Sequence, residues 1–126
     1  MKPSEILKAG LELFGPSGEH WTQNEYAKDA NGSRTDRTAL ATCFCGFGAI
    51  RMAAFSSILI PYGLKSRDEF NRAQYLLNRV VDDGGAGHDW FWINWQDTAG
   101  RTFAEVRAKF LEAIALAERE EQQVAA

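Results

Sequence analysis

Apolar residues recur at helical spacing in three stretches of the chain and crowd together in a fourth, and these four fix most of the expected architecture. The clearest lies near the C-terminus. Phe103, Val106, Phe110, Ala113, Ile114 and Ala117 form one stripe, while Glu105, Arg107, Lys109, Glu112 and Arg119 fill the other face. Thr102-Phe103-Ala104-Glu105 opens this helix as a capping box, in which hydroxyl and carboxylate each satisfy the other residue's backbone N–H. A second box, Ser66-Arg67-Asp68-Glu69, precedes a stripe of Phe70, Ala73, Leu76, Leu77, Val80 and Val81 that ends at the glycine-rich stretch 84–87. Ile6, Leu7, Leu11 and Phe14 make a third stripe, stopped by Gly15-Pro16. The fourth stretch, residues 38–60, is apolar and rich in small residues. A turn or helix start is expected near 42–46, with a buried helix running on to about residue 57. Gly46 and Gly48 each cost about 1 kcal/mol relative to alanine inside a helix, so the close approach of another backbone is the expected reason for them.

Two stretches do not follow the helical period. Trp21, Gln23 and Glu25 alternate with Thr22, Asn24 and Tyr26, and Asn31-Gly32 follows. Asn-Gly favours the type I′ turn of a hairpin, which predicts a ribbon pairing about 21–28 with about 33–37. So small a ribbon must lie against helices to be stable. The run Trp90-Phe91-Trp92-Ile93-Asn94-Trp95-Gln96-Asp97 holds three of the four tryptophans. Periodicity does not decide whether residues 88–97 are strand or helical turn. The fold class expected is mainly α (α+β), about four helices with a small β-hairpin packed on them. Residues 1–126 form one domain, with a C-terminus fraying from about 120.

Bulk charge changes the picture in one direction. The net charge is −3, and a nucleic-acid partner is not expected because phosphate binding calls for a basic surplus. No apolar run is long enough to span a bilayer, and no apolar segment follows the N-terminus as a secretory signal would require. Cys43 and Cys45 are separated by one residue. A disulfide between such neighbours is strained, so both are expected as reduced thiols in a cytoplasmic protein.

The order of short motifs resembles a family of small proteins encoded by phages and bacteria, a domain of unknown function. Trp21-Thr22-Gln23 with Tyr26-Ala27 and Gly32, Cys45 with Gly48-Ala49, and Trp95-x-Asp97 followed by Gly100-Arg101-Thr102 and Glu105-Val106 carry the likeness, which ends in Ala113-Ile114. Members typically read Trp-Cys before the Gly-Ala pair and Trp-Asn-Asp before the last helix. This chain has Phe44-Cys45 and Trp95-Gln96-Asp97. The resemblance spans roughly residues 5–117. It implies a phage or mobile-element context and a cytoplasmic protein, and it implies no activity.

Candidate chemistry centres on Cys45. A thiol at a helix start has a lowered pKa, and with His88 or His20 as base and Asp97 as orienter it would make a nucleophilic site. No catalytic cysteine signature surrounds it, and free cysteine is commonly a small buried hydrophobe. Cys43-x-Cys45 lacks the spacing of a zinc knuckle, so no metal site and no cofactor are expected. Asp97 serves either as a base or, more in keeping with its place before Thr98-Ala99-Gly100, as a turn cap or a partner of Arg101. Trp21 and Trp95 are expected in the core, while Trp90 and Trp92 are open to exposure beside the glycine-rich loop. The function expected is that of a non-enzymatic accessory protein acting by protein–protein binding, with a partner from the host. Its binding residues would be Trp90, Trp92, Trp21, Tyr26 and Trp95. Alternatives are a cysteine-dependent hydrolase or transferase using Cys45, and a small-molecule binder with a pocket lined by Trp21, Tyr26 and Trp95.

Overall fold

The computed structural model describes residues 1–60, 67–81 and 91–125. The capping box at Ser66 and the candidates His88 and Trp90 lie outside the described residues. Five helices are present among those described: α1 (Pro3–Leu13), α2 (Gly46–Phe55), α3 (Arg67–Val81), α4 (Phe91–Gln96) and α5 (Phe103–Ala125). One short antiparallel pair, β1 (Ala27–Lys28) with β2 (Cys43–Phe44), completes the regular structure, along with a 3₁₀ turn at Thr38–Leu40. The fold is mainly α with a small two-stranded sheet, as the periodicity predicts. The fifth helix, α4, is the aromatic run.

α1 packs on α2 and α5, and α3 packs on α5. Their shared core is aromatic. The Phe14 ring meets Phe110 edge-on at 5.4 Å and Phe103 at 5.7 Å, and Trp92 meets Phe110 edge-on at 5.4 Å. Phe14, Phe70, Phe110 and Trp92 are fully buried. Each such side chain contributes about 1.5–3 kcal/mol of transfer free energy, so the stripes read from the sequence are the faces that hold the helices together. α1 stops where Gly15 adopts φ +81° and its N–H bonds the Glu12 carbonyl at 3.1 Å.

The ribbon differs from expectation. β1 pairs with residues 43 and 44, in the register Ala27↔Phe44 and Lys28↔Cys43. Its pairing with 33–37 shrinks to a single bridge, Lys28↔Arg34. Local chemistry explains the difference. The Asp29 carboxylate accepts from the N–H groups of Asn31 at 2.9 Å and Ser33 at 3.0 Å, and closes the turn itself. Gly32 has positive φ but Asn31 does not, whereas a type I′ turn needs both. The longer-range partner comes from the segment that leads into α2, where Ala27 and Phe44 are both buried.

α5 also runs further than expected. The chain beyond 120 is helical to Ala125, and carboxylates from the end of α5 tie it to its neighbours. Glu121 accepts from the Ser4 hydroxyl at 2.6 Å and backbone N–H at 3.1 Å, Glu118 pairs with Lys8 at 3.3 Å, and Glu120 takes both Nε and Nη2 of Arg72. The Arg72 fork holds the Glu120 carboxyl below its ordinary pKa. No described helix is long and apolar enough to cross a membrane.

Candidate functional site

The start of α2 is tightly packed on both sides. Cys45 is its N-cap, in extended backbone, with Sγ accepting from the Gly48 N–H at 3.4 Å. The Cys45 N–H donates to the Tyr26 carbonyl at 3.2 Å. Gly48 faces that same carbonyl so closely that a methyl group would overlap it, and Gly46 lies equally close to the Trp92 indole. This is the close approach for which the two glycines are needed, against a backbone at Gly48 and a ring at Gly46. Cys45 is 5% exposed. Burial pushes its thiol up to about 11; the N–H groups of Gly48 and Phe47 pull the other way, and the charge of Asp97 adds to the rise. The lowered pKa expected from the helix start is therefore reversed, because losing water outweighs the N-terminal dipole.

Gln96 joins this point to the aromatic run. It is 1% exposed. Its Oε1 accepts from Trp21 Nε1 at 3.0 Å and from the Gly46 N–H at 3.3 Å, while its Nε2 donates to the Asp97 carboxylate. Asp97 also accepts from the Asn24 N–H at 2.8 Å. Gln23 Nε2 donates to the carbonyls of Gln96 at 2.7 Å and Thr98 at 3.1 Å. The stretches around Trp21-Thr22-Gln23 and Trp95-Gln96-Asp97 are thus one hydrogen-bonded joint, half-buried around the buried Gln96. Asp97 anchors the Asn24 loop, and Arg101 pairs with Glu105 at 2.8 Å and stacks on Trp95 at 4.0 Å.

The sequence-derived candidates separate. Trp92 is buried outright, and its Nε1 finds no acceptor among the described residues. Trp21 and Trp95 are half-buried, Trp21 against Phe103 and Trp95 against Trp92. His20 is exposed, and its carbonyl accepts from the Phe44 N–H at 2.8 Å. Among the described residues no three His, Cys, Asp or Glu side chains are grouped to hold a metal ion.

Of the candidate binding residues that are described, Tyr26 is the one that lines the two clefts below, and it does so beside Arg51. Two clefts flank this pair. The first, about 480 Å³, lies between the 24–36 loop, the bend at 58–59 and α4, and is lined by Tyr26, Arg34, Arg51, Ile58, Ile93 and Asp97 among others. The second, about 370 Å³, lies between Tyr26, α2 and α3. The Arg51 guanidinium is 4.0 Å from the Tyr26 ring centre, and its Nη1 reaches the Ile58 carbonyl at 3.5 Å. Its Nε is buried without an acceptor, and no carboxylate pairs with Arg51 among the described residues. Arg34 differs, being paired with Glu25 at 3.4 Å. Arg51, Ile58 and Ile93 were not singled out by pattern. One signal for Arg51 is present in the sequence: it is the lone charge in residues 38–60.

Fold and site together define a small, mainly helical protein with two clefts set back to back on one arginine–tyrosine pair. The chain belongs to a family of unknown function, DUF6197, whose model matches residues 1–116. No curated protein and no solved structure matches it.

Proposed function

We propose that this is a non-catalytic binding protein that holds a small molecule in the first cleft. The reading rests on the make-up of that cleft. Apolar Ile58 and Ile93 lie with the polar groups of Asn24, Tyr26 and Arg51 in about 480 Å³, within the roughly 300–1,000 Å³ usual for small-molecule sites. A cysteine hydrolase is supported less well. A thiol raised to about 11 is protonated at neutral pH, whereas a nucleophile needs thiolate. Asp97, the expected orienter, is occupied by Asn24 and Gln96.

We place the protein in the cytoplasm, where its two free cysteines stay reduced, as an accessory protein of phage or mobile-element type. A host protein as partner remains the second reading. Its support shifts from the tryptophans to Leu40 and Leu59, which are 48% and 56% exposed. Thr38 accepts from the Ile58 N–H at 3.1 Å and so ties their two segments together.

The test is a methyl-labelled NMR screen against a library of cellular metabolites. A ligand of the first cleft shifts the methyl signals of Ile58, Leu59 and Ile93 in a saturable way. A library without one compound that moves those signals at millimolar concentration contradicts the small-molecule reading.

A further inference from the structure

The second cleft differs from the first in charge. Its lining is Tyr26, Phe47, Arg51, Asn71, Gln74, Tyr75 and Asn78, with Arg51 the one charged side chain and no acid among them. The first cleft carries Glu25, Asp36 and Asp97 besides its two arginines. We propose that the second cleft is an oxyanion site, which takes the phosphate or carboxylate group of a small polar molecule on Arg51 and the carboxamides of α3.

Three observations converge on this. First, the Arg51 charge is partly withdrawn from water with a carbonyl and a tyrosine face as its contacts, and no carboxylate among the described residues neutralises it. A cation so placed interacts more strongly with an incoming anion than one in bulk water. Second, Asn71, Gln74, Tyr75 and Asn78 follow the i, i+3, i+4, i+7 spacing that puts them on one face of α3, and that face lines the cleft. The side chains of Asn71 and Gln74 make no hydrogen bond among the described residues. Asn78 accepts from the Trp92 N–H at 2.8 Å through its carbonyl oxygen, which directs its NH₂ away from α4. Third, every polar side chain of the lining can donate a hydrogen bond, as an oxyanion requires. The cleft shares Tyr26 and Arg51 with the first but is read at α3, so it stands or falls separately from the ligand proposed there.

The test is titration of isotope-labelled protein with inorganic phosphate and with acetate, using chloride at equal ionic strength as control. Phosphate, acetate or both should shift the side-chain amide signals of Asn71, Gln74 and Asn78 in a saturable way, and chloride should not. The tighter of the two shows whether a tetrahedral or a planar anion is preferred. Arg51→Gln should weaken binding by about tenfold or more, the loss expected for a charge-assisted contact. Asn71→Asp should weaken it similarly by placing a negative charge at the rim. Asn71 is exposed and holds no structural bond, so this variant decides the matter even where Arg51→Gln fails to fold. Absence of shifts, equal shifts with chloride, or binding that survives either substitution overturns the proposal.

Discussion

At the scale of single residues, Gly48 leaves no room for a side chain, because a Cβ there would overlap the Tyr26 carbonyl oxygen. Its missing Cβ is what lets the Tyr26 carbonyl reach the Cys45 N–H and close the sheet onto α2. Gly48→Ala forces that carbonyl away, and overpacking of this kind costs roughly 1–3 kcal/mol. Urea unfolding of the variant should show a lower midpoint with an unchanged slope, and an unmoved midpoint would mean the sheet can shift without loss. The need for glycine here was legible, since a glycine inside an apolar helix demands a reason. Which backbone it admits was not, because Tyr26 lies far off in the chain and nothing local marks the pair. Gln96 shows the same limit. Nothing in its place between Trp95 and Asp97 marks it as the buried acceptor for Trp21 and Gly46.

At the scale of elements, the strongest local signals held. Thr102 and Glu105 form the capping box, with the Thr102 N–H donating to the carboxylate at 3.0 Å and the Glu105 N–H to the hydroxyl at 3.3 Å. Contacts to Thr102 and Arg101 lower the Glu105 pKa. Thr102→Ala removes the N-cap hydroxyl and should cost about 1 kcal/mol, seen as a fall in urea midpoint; an unchanged midpoint would remove the cap from the account. Helices α1 and α5 were legible because capping and stripe agree, and the α3 stripe shows as buried Phe70, Ala73, Leu76 and Leu77. The hairpin was not, because Asn31-Gly32 competes with Asp29, whose carboxylate builds a different turn. Nor was α4: its six residues are too few for a helical period to show, and the contacts of Trp92 with Phe110 and of Gln96 with Trp21 decide its conformation.

At the scale of the whole molecule, the candidate site is a product of assembly. The first cleft draws on the 24–36 loop, α2, the 58–59 bend and α4, four segments that no sequence window brings together. The described tryptophans serve the core and the joint, while both clefts are built on Tyr26 and Arg51. The central claim is that the protein binds and does not react through its buried thiol. It is tested most directly by the rate of iodoacetamide alkylation of native protein across pH, with Cys43 and Cys45 separated by peptide mapping. Burial raises the Cys45 thiol to about 11, above the roughly 8.5 of a free cysteine. The thiolate fraction in the folded protein is therefore smaller than in a free peptide at every pH below that midpoint. Cys45 should label more slowly than a cysteine peptide at pH 7, at a rate set by opening of the fold, and with no inflection below about 8.5. Rapid labelling of Cys45 with a midpoint well below that of a free thiol would contradict the binding account and point to a nucleophile.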